Sequence, residues 1–386
     1  MLLYLILLKF KITKDVSLLS VLLYGLLPLN ISTVVCLGAR ADLLAAFFIL
    51  FSFLLYLIFQ EKGKLVYFIY SFLGYILALM SKEIALPFFL VVCLIAEVKN
   101  RFKLYSIWYL LLALIYLFVR VGIIGHIGSS LPFLHGEPYV AILSSFAGFF
   151  RYLFKFFIPF KLSLSDAFPK YNSIFNFEVV FGIILFSAVV LFFFHTIKRK
   201  ILTLSLFLGW LLFFYIPISN IIPALHFWAE RFFYLPGIGL IGITGYFLSK
   251  RKIFKIPLVA VVLFYVFLNL KYQDYFKNNE LIFRRAIDIS TKSEEAHNML
   301  GYHYLLNNDY FLSTYYYHLA TQDFSGYYTY SSLDETYNNL GVVLLRLGQY
   351  KEARRWFQSV VALNKDDSNA ILNLKILDSI EGTDGQ

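Results

Sequence analysis

Charge is what this sequence has least of. Only 15% of its residues are Asp, Glu, Lys or Arg, where a soluble domain carries about a quarter. Cysteine is nearly absent: Cys36 and Cys93 lie far apart in apolar surroundings, suit packing, and say nothing about redox compartment. Paired-cysteine zinc spacing, a phosphate-cradling Gly-rich loop and a Gly-x-Ser-x-Gly elbow are all missing. Their absence argues against nucleotide-driven transport and soluble nucleotide-sugar chemistry. The apolar start, Met1 to Leu8, runs into Lys9-Phe10-Lys11 without a basic lead or a small-residue cleavage site, so no cleavable signal is expected.

What is abundant is apolar and aromatic: 60% hydrophobic residues, with 43 Phe and 29 Tyr. Apolar runs of bilayer-crossing length, roughly 17–25 residues, recur to about residue 270. The expected fold class is therefore all-α, a polytopic transmembrane helix bundle over residues 1–270 followed by a helical-repeat domain over 271–386. The charge is split the same way. Residues 1–270 hold 23 Lys and Arg against 9 Asp and Glu, while 271–386 hold 11 against 15. The basic surplus belongs to the apolar part, which points to membrane topology, and the acidic tail gives no reason to expect nucleic acid.

Basic clusters mark the cytoplasmic side: Lys9/Lys11/Lys14, Lys62/Lys64, Lys99/Arg101/Lys103, Lys198/Arg199/Lys200 and Lys250/Arg251/Lys252/Lys255. Pairs of apolar runs separate most neighbouring clusters. Between Arg101 and Lys198, however, three runs occur (104–124, 139–160, 178–196). The run 139–160 carries Arg151 and Lys155 and ends at Pro159, so it is read as an interfacial or re-entrant helix. About nine spans then cross, and the tail emerges on the outer face. Asp42, Glu83, Glu137, Asp166 and Glu230 fall on that same side.

The tail repeats itself. Ala296-His297-Asn298-Met299-Leu300-Gly301-Tyr302 matches Thr336-Tyr337-Asn338-Asn339-Leu340-Gly341-Val342. Leu-Gly, then Ala353 twelve residues after Gly341, then Phe357, resembles the tetratricopeptide repeat (TPR). Gly341 permits close helix approach, Ala353 fits the small site opposite, and Phe357 fills the groove. In the first unit Leu300 and Gly301 are kept, while Ser313 and Tyr317 replace Ala and Phe. The two glycines lie 40 residues apart rather than about 34, which places an insertion at 322–332. Leu281 to Ile289 reads as the closing helix of a preceding half-unit. Such stacks bind proteins and rarely catalyse.

Three segments of the apolar part carry its scarce charges: Leu27 to Leu44, with Arg40-Ala41-Asp42-Leu43-Leu44; Ser81-Lys82-Glu83 through Leu86-Pro87; and Glu230-Arg231-Phe232-Phe233-Tyr234-Leu235-Pro236. In that order, followed by repeats, they resemble the transmembrane-and-TPR O-mannosyltransferases and their bacterial relatives. That resemblance implies a C-type glycosyltransferase fold in the bacterial inner membrane. It also implies a polyprenyl-phosphate sugar donor, mannosyl by the family's name, used on the outer or periplasmic face where the tail lies, and a protein or glycan acceptor. Two departures stand out. Where the family's first motif has His, His and Glu, this chain has Leu27, Asn30 and Ser32. The acidic loop that usually follows the first helix is also missing, as if the sequence began inside the second.

Sugar transfer from a lipid phosphate needs a carboxylate base, cations on the leaving phosphate, and a groove for the tail. The sequence assigns no catalytic residue. By resemblance Arg40, Lys82 and Arg231 hold the lipid phosphate; the alternative is local ion pairing of Arg40 with Asp42, Lys82 with Glu83, and Arg231 with Glu230. Asp42, Glu83 and Glu230 are candidates for orienting an acceptor or binding a divalent metal, and Asp42 also suits a helix N-terminus. His126, His135 and Glu137 have no metal-site spacing. Trp228 and Tyr234 read as interfacial anchors rather than sugar platforms, and Tyr315 to Tyr317 as groove filling rather than a binding box. Opposed to the enzyme stands a non-catalytic, membrane-anchored TPR scaffold for protein–protein interaction.

Overall fold

The computed structural model describes residues 1–125, 138–221, 227–250, 255–328 and 333–383. His126, His135 and Glu137 lie outside these. The described chain is helical, with strand pairing confined to two dipeptides. It forms two compact units. The first comprises Met1–Leu162 and Tyr171–Tyr272, the second Ser163–Lys170 and Gln273–Gln386.

In the first unit the apolar runs become α1 (Leu2–Lys9), α2 (Lys14–Gly25), α3 (Ile31–Val35), α4 (Arg40–Lys62), α5 (Leu65–Ser81), α6 (Phe88–Lys99) and α7 (Lys103–Ile124). They continue as α8 (Pro138–Phe157), α9 (Phe177–Lys198), α10 (Leu202–Tyr215), α11 (Tyr234–Ser249) and α12 (Lys255–Tyr272). Stops follow the turn chemistry: α4 ends at Gly63 and α7 at Gly125, both in the left-handed region that glycine tolerates. Among the described residues five helices are long and apolar enough to cross a bilayer, or six if one bent pair counts as a single span, where about nine spans were expected. Helices 65–81 and 202–218 are apolar but shorter. Helices α7 and α9 leave most of their apolar surface outside the protein, Phe118 and Leu191 among it, a surface compatible with lipid.

The first expected span, 17–37, is not one helix. It breaks after Gly25 and resumes with a 49° bend. Pro28 has no N–H to continue the ladder, which frees carbonyls in an apolar setting. Asn30 Nδ2 donates to the Tyr24 carbonyl at 2.7 Å, and Asn269 Nδ2, from α12, to that of Leu26 at 2.6 Å. These two amides do what water cannot do there. Helices α10 and α11 pack closely, because Gly239 lies where a Cβ would stand 2.6 Å from the Phe207 carbonyl oxygen.

The second unit stacks α13 (Asn279–Ile289), α14 (Glu294–Leu306), α15 (Tyr310–Ala320), α16 (Leu333–Arg346), α17 (Tyr350–Leu363) and α18 (Ser368–Thr383). Starts are capped: Asn278, Ser293 and Asp309 each accept a backbone N–H of the following helix. Leu340, Ala353 and Phe357 are fully buried with Tyr317 and Leu377. Ser313, in the small site of the first hairpin, donates to the Gly301 carbonyl at 2.7 Å, so its hydroxyl is buried but satisfied. The insertion carries β2 (Tyr327–Tyr328), which pairs antiparallel with β1 (Phe168–Pro169).

Candidate functional site

The three charged segments, two hundred residues apart at their extremes, share one region of the first unit. The turn at Pro28–Asn30 and α3 pack against the turn at Glu230–Phe233, and the turn at Glu83–Ala85 packs against α4. The Tyr24 hydroxyl donates to the Tyr234 carbonyl, and the two rings lie 5.5 Å apart. That contact pins the end of α2 to the start of α11.

The ion pairs differ from those expected between sequence neighbours. Lys82 Nζ meets Asp42 at 2.7 Å, Arg120 Nη1 lies 3.7 Å from Glu83, and Lys155 Nζ meets Glu230 Oε1 at 2.7 Å. The reason is geometric: in a helical turn, residues one or two apart point in different directions. Arg40 and Asp42 cannot close a pair, and neither can Lys82 with Glu83 or Glu230 with Arg231. Asp42 sits in the first turn of α4 but makes no side-chain cap; its carboxylate turns to Lys82.

Arg40 and Arg231 are thereby left without a carboxylate partner among the described residues. Arg40 is exposed and Arg231 half-buried. The Arg231 guanidinium lies 5.1 Å from the centre of the Phe232 ring, and Lys82 Nζ lies 5.8 Å from that same centre. One aromatic ring therefore has two cations beside it. Asp42 and Glu230 are almost wholly buried, and Glu83 is exposed. No group of three His, Cys, Asp or Glu fit to hold a metal occurs among the described residues.

Trp228 is not an interfacial anchor. It is buried and stacked on Tyr152 at 4.0 Å, with Phe233 on the other ring contact of Tyr152 at 4.9 Å. Tyr234 is half-buried against Tyr24 rather than exposed. Trp228 is drawn inward by Tyr152 of α8, and Tyr234 by Tyr24 of α2. Sequence reasoning also missed the role of α8. Its Lys155 reaches Glu230, while its Arg151 donates to Glu178 at 2.8 Å and to the Tyr171 hydroxyl at 3.0 Å. The available signal was two basic residues four apart on an apolar helix, which face the same way. On α8 that face turns toward carboxylates.

In the second unit, a Cβ at Gly341 would stand 2.5 Å from the Phe357 ring, and one at Gly301 would stand 2.8 Å from the Tyr317 ring. Tyr317 is fully buried, Tyr316 stacks on Tyr304 at 5.5 Å, and Tyr315 is exposed, so groove filling describes two of the three tyrosines. Residues 334–367 match the family model of the tetratricopeptide repeat. The matched stretch covers α16, α17 and the turn after them. Among curated proteins none matches this chain.

Proposed function

We propose that the chain is an integral membrane glycosyltransferase that takes a sugar, mannose by resemblance, from a polyprenyl phosphate at the outer face. The single observation that carries this reading is the pairing of Arg231 with Lys82 around Phe232, close to the segment that bears Arg40. Two of these cations have no carboxylate partner among the described residues. A guanidinium offers two parallel donors to phosphate oxygens, while an ammonium adds a point charge. Asp42 holds Lys82 in place and offsets its charge. Exposed Val34 and Leu37 lie just before Arg40, and exposed Met80 just before Lys82. This apolar border suits a polyprenyl tail. Asp42 and Glu230 serve this site as buried counter-ions rather than as acceptor or metal ligands, and the acceptor's base is not among them.

The test is Arg231→Ala in membranes supplied with polyprenyl-phosphate sugar. Transfer is expected to fall by about a hundredfold or more, as when a charge-stabilising donor is removed from an active site, while membrane insertion stays unchanged. Unaltered transfer removes Arg231 from the reaction.

A second reading has its own support. The repeat at 334–367 and the burial of Asp42 and Glu230 suit a membrane-anchored scaffold that presents repeats to a protein partner. Absence of any transfer by the unmodified chain, with a partner retained on the repeats, favours this reading.

A further inference from the structure

Residues 163–170 belong to the second unit although the chain on either side belongs to the first. They lie in a slot whose walls are the start of α14 and residues 326–328, between α15 and α16. The segment is held as a peptide ligand is held. Ser165 Oγ donates to Glu295 Oε2 at 2.6 Å and lies 3.0 Å from Ser293 Oγ, and Ser293 Oγ donates to the Ser165 carbonyl at 3.1 Å. The Lys170 N–H donates to the Gly326 carbonyl at 2.8 Å, next to the β1–β2 pairing. The Phe168 ring is fully buried, 6.1 Å from the ring of Tyr328. Ser163, Ser165 and Ala167 are buried while Leu164 and Asp166 are less so, the alternation of an extended strand.

This is strand addition: main-chain bonds supply adhesion and a pocket for one side chain supplies selectivity. Its composition is unlike a permanent core. The buried side chains are two serines, an alanine and one Phe, and hydroxyl bonds contribute little net because water can replace them. The slot is also built by the insertion that departs from the repeat pattern, so it is separate from the helix faces that repeats usually present. We propose that the slot is a binding site for an extended protein segment of Ser-x-Ser-x-x-Phe-Pro character, occupied in cis by residues 163–170 and open to a partner chain when they leave. The proposal does not depend on sugar transfer.

A tethered ligand competes at an effective concentration on the order of millimolar, so the resting chain should bind such a segment weakly. The experiment uses the full chain in detergent micelles and a dye-labelled peptide with the sequence of residues 163–170. Phe168→Ala in the chain should tighten peptide binding by about tenfold or more, because the cis competitor is weakened. A peptide with Phe168→Ala should not bind. A folded Phe168→Ala chain that binds no better than the unmodified one overturns the proposal. Should that variant not fold, Ser165→Cys with Ser293→Cys decides: peptide binding should be lost when the pair is oxidised and return on reduction, and equal binding in both states overturns the proposal.

Discussion

Lys155 of α8 closes a 2.7 Å ion pair with Glu230, and both side chains are withdrawn from solvent, to 12% and 2% exposure. The pair joins a helix read from sequence as interfacial to the turn that carries Arg231. Removing one side of such a pair takes a close counter-charge from a group withdrawn from water. Lys155→Met should therefore cost about 3–5 kcal/mol of stability, while Lys155→Met with Glu230→Leu should recover most of it. Thermal unfolding in detergent of the two variants checks this. Equal losses would mean that the pair is not buried as a unit.

Gly341→Ala should destabilise the repeat unit, because its new Cβ would stand 2.5 Å from the Phe357 ring. Overpacking of this kind costs about 1–3 kcal/mol. Phe357→Leu in the same chain should return part of that loss, as the smaller side chain makes room. Hydrogen exchange across α16 and α17 reports both effects.

The repeat unit should weaken in two steps on acidification. Burial pushes the His297 imidazole below its ordinary 6.5, so the unfolded chain takes up that proton first. Its contribution is complete above about 6.5 and is lost as pH falls through the interval below that value. Bonds from the Tyr304 hydroxyl and from Arg284 hold Glu280 below its ordinary 4.5; its contribution is present above 4.5 and is lost as pH falls through the lowered value. Hydrogen exchange of α13 and α14, followed from pH 7 to well below pH 4.5, should show both steps, and Glu280→Gln should erase only the lower one.

Connectivity ties two crossings of the chain to one another. The second unit contains both residues 163–170 and the chain after α12, so the end of α8, the start of α9 and the end of α12 lie on one side of any membrane. If each helix from α9 to α12 crosses, the basic stretches at Lys198–Lys200 and at Lys250 lie on the other. Cysteines introduced at Ser173 and Ser325, both exposed, should be labelled from outside intact cells, above the background of Cys36 and Cys93. Lys200→Cys should react only after lysis. The reverse pattern would invert the topology and remove the proposed outer-face site.

Much of the fold was legible because it depends on local periodicity. The apolar runs hold helices, the first of them broken at Pro28, and Leu300-Gly301, Leu340-Gly341, Ala353 and Phe357 stand where the repeat pattern puts them, since a glycine facing an aromatic ring is written in the spacing. Which segments hold the scarce charge of the first unit was also legible, and the fold brings those three segments into one region.

What composition and spacing left open was partner choice. Lys82 takes Asp42, and Glu230 takes Lys155, across 40 and 75 residues, because charges withdrawn from water bind whichever opposite charge the packing delivers. Sequence neighbours in a turn point apart. Likewise no periodicity or motif marks residues 163–170, and only the folded chain inserts them into the repeat unit. Their strand has no partner until the insertion before α16 supplies one. The amino-acid order alone determined which stretches are helical and which are apolar; tertiary packing decided which cations keep a carboxylate and which remain available.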